Sequence, residues 1–538
     1  MNKRIQSYPK YDVIIVGSGM GGLTTASLLS RDGYRVLVLE ASSAPGGCSS
    51  SYPRKGYIFE SGATTLMGFD EHQPLARLEN MLGISFPKEW IDPPMAVRMT
   101  GKTITRHSDR KKWLKEAIDK FGNKKGQEIF WDLVFEVSDS VWRLSEKNSF
   151  FPPQGFREWM DLAFRNDLKD FSLLKYRRKS VLQIMRACGI DGPLFRAFVD
   201  EQLMITAQNT SRDTSFLFGA VGLAYTCSRN YLIPGGFIEM ARTLEEYIRN
   251  RGGEILYKKK VSFIELPEEQ TEQAPSKKEA TTTKEGEQKE QGNSENALAQ
   301  KVRSCFKVKA GNVTYLADNV VTNIPIWNVP EMVNGSARAW FQKKAARYKA
   351  AWGAFVMGIA VEDHFPPSLL PHQQILLSSP LPHTGSNSVF VSISASYDQK
   401  RSPAGTRVLN VSCHTPVDSW DLEPEAYKKA KKETAEAILG ILEKHLPGFS
   451  REHIKTSFEG TPKTFENWTH RFKGRVGGIP QSMKRSIFDW PPVKPPFKNW
   501  YLVGDTVYPG QGVPGVALGG IHAYLRIVAD QSQSGNYR

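Results

Sequence analysis

The spacing of apolar positions changes period twice within the first forty residues. Residues 11–16 form a near-continuous apolar run suited to a buried strand. A glycine-rich turn follows at 17–22, then helical spacing over 23–31 with Gly33 as its stop. Residues 35–39 return to an apolar strand run that ends on Glu40. Strand, helix and strand in that order make a βαβ unit. Further β-rich runs stand at 253–261, 319–322 and 500–503, separated by long stretches rich in aromatic and basic residues. The pattern predicts an α/β protein. A Rossmann-type nucleotide-binding domain is assembled from the discontinuous segments 1–100, 231–325 and 476–538. An α+β substrate domain made of 101–230 and 326–475 is inserted between them.

One stretch has no such pattern. Residues 266–300 carry eight acids, four lysines, no aromatic and no β-branched aliphatic residue. Too little apolar surface is available there to offset the entropy of ordering, so a disordered insertion is expected. Its charge is −4 and the whole chain's is +15, so the remainder carries +19. That excess favours an anionic partner. No nucleic-acid-binding motif accompanies it, and nucleic acid is not an expected partner.

With 538 residues, 40% of them hydrophobic, the chain can bury a sizeable core in more than one domain. Cys48, Cys188, Cys227, Cys305 and Cys413 are scattered, with no CxxC pair and no histidines at metal-ligand spacing. No metal site or disulfide framework is expected, and a reducing, cytoplasmic compartment fits. No apolar run approaches the ~18 residues of a membrane span, and residues 1–10 lack a signal-peptide core.

The glycines of the first turn carry specific chemistry. Gly17, Gly19 and Gly22 fill G-x-G-x-x-G between a strand and a helix. The first permits the tight turn, the second lets backbone approach a pyrophosphate, and the third permits close helix–strand packing. The helix N-terminus offers N–H groups and a positive dipole end to the phosphates. Glu40, closing the second strand, suits the hydroxyls of an adenosine ribose. A purely structural glycine turn would leave Glu40 unexplained.

Past Glu40 comes a glycine doublet, Gly46 and Gly47, then residues 56–62 ending at Gly62. Residues 231–236 hold a Pro-x-Gly-Gly segment, followed by a helix and a strand ending near Val261. Near the C-terminus Gly504 and Asp505 follow a strand, and a loop through Gly512 and Val513 leads into an apolar helix. These motifs resemble those of FAD-dependent carotenoid desaturases and carotenoid isomerases, within the flavin amine oxidase-like superfamily. Residues 59–69 and 504–512 are similar to the carotenoid isomerase and 3,4-desaturase branch. The resemblance spans the chain except the acidic insertion and implies FAD as cofactor. Gly46, Gly47 and Gly62 would then approach the diphosphate and flavin, the Val261 backbone the adenine, and Asp505, Gly512 and Val513 the ribityl and flavin end. One departure stands out: Cys48 occupies a position where many members carry Arg, so that Arg contact is expected to be absent.

The resemblance implies an oxidoreductase that desaturates a carbon–carbon bond beside a conjugated chain. The alternatives are carotenoid cis–trans isomerisation on reduced FAD and retinol-saturase-like reduction. Such chemistry asks the protein mainly for orientation and a dry cavity. The sequence shows no dyad or triad, so the catalytic residues stay unassigned, with Asp70, Glu71 and His72 as candidates beside residues 67–69. A hydrophobic polyene implies a membrane surface. Aromatic residues at 150–159 followed by a basic cluster at 175–179 suit peripheral docking, although a solvated helix face explains them equally well. Desaturation further implies an electron acceptor, a quinone or oxygen.

Overall fold

The computed structural model describes residues 8–268, 304–348 and 352–533. Most of the expected insertion, 269–300, lies outside the described residues.

Two seven-stranded sheets organise the chain. In the first, Lys10–Val16 lies between Val313–Thr322 and Val36–Leu39, parallel to both. Glu254–Leu256 extends the sheet beside Val36–Leu39, and Trp500–Leu502 extends it beside Val313–Thr322, again in parallel. All five parallel strands therefore end on one side of the sheet. The strands are almost wholly buried, consistent with their unbroken Val, Ile and Leu runs. The βαβ unit forms as expected, but its helix starts earlier, at Met20–Arg31, because Gly19 takes the N-cap position without a side-chain cap.

The 253–261 run divides differently from the expected single strand. Glu254–Leu256 sits at one edge of the sheet, whereas Val261 opens a second strand, Val261–Glu265, at the other. That strand pairs antiparallel with Phe306–Ala310, which in turn pairs with Val313–Thr322. Alternation alone cannot separate two short strands joined by a lysine-rich link.

The second sheet runs, in spatial order, Ile454–Gly460, Trp352–Glu362, Thr406–Pro416, Ser388–Ile393, His372–Leu376, Met95–Met99 and Lys102–Arg106. Met95–Met99 thus belongs to this sheet although it precedes the boundary expected at residue 100. Its strands alternate. Phe355, Met357, Val389, Val391 and Val411 pack with Ile438 and Leu442 of the helix Pro424–His445. Ala354, Val356, Ser388, Phe390, Ser412 and His414 point to the opposite face, into a cavity. Glu60, buried between the sheets, ties them together. It pairs with Arg401 at 3.1 Å and accepts from Ser51 Oγ and the Phe237 N–H, while its own N–H donates to Asn410 Oδ1.

Candidate functional site

A cavity of about 760 Å³ opens where the parallel strands end and continues beneath the second sheet. Ligand sites in open α/β sheets form at this kind of strand-end crevice. Gly17 follows the first strand, Glu40 the second, Asn323 follows Val313–Thr322, and Gly504 with Asp505 stands just past Trp500–Leu502; all line the cavity.

The fingerprint loop is shaped by close contact. Asn323 Nδ2 donates to the Gly17 carbonyl at 3.2 Å, pinning the loop to the neighbouring strand. Gly19, Met20 and Gly21 face the cavity at the helix N-terminus. Gly22 does not line it. A Cβ at Gly22 would lie 2.5 Å from the Gly17 carbonyl oxygen, so this position serves helix–strand packing, the role expected of the third glycine. The doublet folds back onto the loop: the Gly46 N–H donates to the Ser18 carbonyl at 2.8 Å, and Gly46 and Gly47 both line the cavity.

Glu40 holds more of the site than its position in the sequence suggests. Oε2 accepts from the N–H and hydroxyl of Ser18, both at 2.7 Å. Oε1 accepts from the N–H and hydroxyl of Ser42 at 2.8 and 2.9 Å. A carboxylate accepts about four hydrogen bonds. A ribose hydroxyl would therefore take the place of a serine hydroxyl. Val261 and Lys260 line the cavity on the same side, and Gly62, Gly512 and Val513 line it near Asp505.

An arginine from another segment lies beside Cys48. Arg471 Nη2 pairs with Asp505 Oδ2 at 2.6 Å and its Nε donates to the Arg475 carbonyl. Its guanidinium also lies beside the Cys48 thiol. Burial works against that charge, but the Asp505 carboxylate holds the Arg471 pKa above its ordinary value. Burial likewise pushes the Cys48 thiol up, so it stays protonated. Position 48 itself offers no arginine, while Arg471 enters this corner from a distant segment, and no spacing in the sequence marks it.

Asp70, Glu71 and His72 do not reach the cavity. Asp70 is engaged by Arg229 at 2.5 Å, and His72 Nδ1 lies 2.7 Å from Glu146 Oε2. Their backbone turns outward after Met67, which does line the cavity. None of the three is placed to touch a reactant in the cavity.

Beyond the strand ends the wall becomes apolar. Met204, Ile205, Phe218 and Val221 come from the helices Pro193–Ala207 and Phe216–Ala224, facing Val356 and Phe390 of the second sheet. Polar side chains interrupt this lining, among them Thr206, Ser388, Ser412, His414 and Tyr508. Burial lowers the His414 pKa to about 4, leaving the imidazole neutral near pH 7. Burial raises the Tyr508 pKa to about 12, so its hydroxyl keeps its proton. A glycine cradle, an uncapped helix N-terminus and a carboxylate past the second strand fit a dinucleotide. The apolar chamber beyond them fits a hydrophobic reactant.

Comparison with known proteins agrees with this geometry. The family described as flavin containing amine oxidoreductase matches residues 20–523. Prolycopene isomerase of Arabidopsis thaliana is 26% identical over 97% of this chain and 83% of its own length. The 4,4'-diapolycopene oxygenase of Methylomonas sp is 23% identical over 96% of this chain and 98% of its own. Among solved structures, a putrescine oxidase bound to putrescine superposes with a TM-score of 0.60 at 15% identity, covering 97% of this chain and 99% of that one. An oxidoreductase from Methanosarcina mazei gives 0.56 at 18%, covering 95% and 99%. The chain belongs to the flavin containing amine oxidoreductase family, with the fold and flavin site that go with it.

Proposed function

We propose that this member of the flavin containing amine oxidoreductase family is an FAD-dependent oxidoreductase that desaturates a carotenoid-like polyene beside its conjugated chain. The observation that carries the reading is the single cavity running from the glycine cradle to the apolar chamber beneath the second sheet. Gly19, Met20 and Gly21 would hold the diphosphate, Glu40 the ribose, Val261 the adenine end, and Asp505, Gly512 and Val513 the ribityl and ring end. Bound there, FAD supplies the hydride acceptor for a C–H bond next to the polyene. Charge left on a conjugated chain is delocalised, so the protein's own part is orientation and exclusion of water. Met204, Phe218 and Phe390 do this with an apolar wall, and neutral His414 adds no charge to it.

The relatives matched along nearly the whole chain are named for lycopene-type polyenes, which supports the substrate class. Their names also favour a second reading. Prolycopene isomerases match at 26% identity, the diapolycopene oxygenase at 23%, and isomerisation on reduced FAD would use the same cavity. A retinol-saturase-like reduction has narrower support, a match to an all-trans-retinol 13,14-reductase of Danio rerio over 47% of this chain. Anaerobic mixing of oxidised enzyme with candidate carotenoids separates these. Stoichiometric bleaching with loss of two hydrogens from the polyene supports desaturation. Conversion at constant mass, and only after prior reduction of the flavin, assigns the isomerase. A polyene that gains two hydrogens from the reduced enzyme assigns the reductase.

Peripheral docking on the cytoplasmic face of a membrane belongs to the same proposal. No helix among the described residues is long and apolar enough to cross a membrane. On the helix Phe156–Arg165, however, Phe156, Trp159, Met160 and Phe164 form one exposed stripe, with Phe156 80% and Phe164 81% exposed. Exposed Lys175, Arg178 and Lys179 lie close by in sequence. Trp159 stacks near Phe488 (5.1 Å), Phe488 near Phe151 (5.4 Å), and Phe151 near the cavity residue Tyr508 (4.8 Å). An apolar stripe flanked by cations suits an anionic bilayer. The wild type should float with anionic vesicles, and a Phe156→Ser/Phe164→Ser variant should stay behind with its flavin intact. With such vesicles present, faster reoxidation by a bilayer quinone than by oxygen would identify the electron acceptor.

A further inference from the structure

Far from the cavity, at the other end of the second sheet, Glu362, His364 and His453 converge so that one ligand atom of each lies within 4.8 Å of the others. Glu362 ends the strand Trp352–Glu362, whose Ala354 and Val356 line the cavity near its beginning. At ~3.3 Å per residue, about 20 Å separates the cluster from that wall. The chemistry at the strand ends makes no use of it.

The sheet's register builds the cluster. Trp352–Glu362 pairs antiparallel with Ile454–Gly460, and a shift between Ala360 and Val361 sets Val361 opposite Ile454. His453, just before that strand, is thereby placed against His364, with ring centroids 4.0 Å apart. His364 Nε2 lies 3.2 Å from Glu362 Oε2, and Lys455 Nζ holds the other carboxylate oxygen. The loop preceding His453 is pressed onto the same place: Gly448, at φ +83°, leaves only 2.4 Å between a would-be Cβ and the His364 carbonyl oxygen. His453 Nδ1 is shut off from solvent without a hydrogen-bond partner among the described residues, an unmet demand at a polar atom.

We propose that Glu362, His364 and His453 bind a divalent first-row transition metal, zinc foremost, which clips the edge of the second sheet to the 447–453 loop. Two imidazole nitrogens and one carboxylate oxygen form a donor set that zinc takes readily, with water as fourth ligand. Calcium and magnesium favour all-oxygen sites and fit poorly. Lys455 fixes one carboxylate oxygen and leaves Oε2 turned toward the imidazole. Lys455 pairs with Glu362 itself, and Arg407 pairs with the neighbouring Asp363 at 3.4 Å.

The test is calorimetric titration of zinc chloride into chelator-treated, flavin-loaded enzyme, followed by thermal melting with and without zinc. One saturable site is expected, weakened by at least about tenfold in His364→Ala and in His453→Ala. Zinc should raise the melting temperature of the wild type but not of these variants, with magnesium and calcium silent. The flavin spectrum reports independently that each variant is folded. Equal zinc binding by the wild type and a His364→Ala/His453→Ala variant, or no saturable binding in the micromolar range, would overturn the proposal.

Discussion

The two sheets build their halves of the cavity in opposite ways. At the ends of the first sheet the surface is largely backbone: Gly17, Gly19, Gly46 and Gly47 bring the main chain close, with Glu40 and Asp505 at its two ends. The second sheet contributes side chains from alternate positions of three strands, faced by two helices. The first arrangement suits an invariant, charged, hydrogen-bonding group such as a diphosphate. The second suits a reactant recognised by shape and apolarity. Damage to the first half should therefore abolish cofactor binding, whereas damage to the second should alter substrate use while the protein stays yellow.

The largest expected effect comes from Gly22→Val. A side chain there meets the Gly17 carbonyl at 2.5 Å, so helix and strand must separate. Purified protein is expected to be essentially colourless by flavin absorbance. Val356→Ala in the opposite wall should keep full flavin content and lose turnover or substrate affinity only. Equal loss of flavin from both would break the comparison.

Next comes Arg471→Leu. The ion pair with Asp505 is mostly buried, with side chains 12% and 16% exposed, and stranding a buried carboxylate costs about 3–5 kcal/mol. A marked drop in melting temperature is expected, together with a changed flavin potential, and Arg471→Lys should recover part of both. An unchanged potential would mean that Arg471 serves stability alone.

Glu40→Ala removes the acceptor of four protein hydrogen bonds and the expected ribose contact. FAD should bind about 10- to 100-fold more weakly, on the order of one charged hydrogen bond. Weak binding of FMN, which lacks the adenosine, should change less. Equilibrium dialysis with both ligands checks this.

Acid should act on both halves through buried histidines. Burial lowers the pKa of His414 to about 4 and those of His372 and His522 to about 3. The unfolded chain takes up these protons near pH 6.5, whereas the folded chain resists them until about pH 3–4. Stability from these groups is thus fully present above about pH 6.5 and falls as pH drops toward 4, by about 1–2 kcal/mol per histidine at pH 5. Melting temperatures between pH 7 and 5 should show the decline, and His522→Leu should flatten it. The smallest effect belongs to the acidic stretch. Deleting residues 268–296 is expected to leave flavin content and melting temperature nearly unchanged, since so polar a sequence adds little buried surface.

By itself the sequence determined the glycine-lined half of the cavity. Gly17, Gly19, Gly22 and Glu40 lie within one βαβ unit, where local geometry fixes how strand, turn, helix and acid meet, so their spacing already describes the site. Gly504 and Asp505 were legible for the same reason, standing directly after a strand and before a helix. Tertiary structure decided the rest. Arg471 reaches Asp505 and the place beside Cys48 from a separate segment, and Asn323 reaches the fingerprint loop only because Val313–Thr322 pairs with the first strand. Alternation in the second sheet shows that Val356, Phe390 and His414 share a face. Which helices that face meets depends on pairing between strands far apart in the chain. Asp70 and His72 looked well placed beside Met67 because sequence reports adjacency, yet contacts with Arg229 and Glu146 hold them at the surface. A βαβ motif encodes its own geometry over some thirty residues. A cavity wall drawn from non-local strands is specified only when the whole core packs.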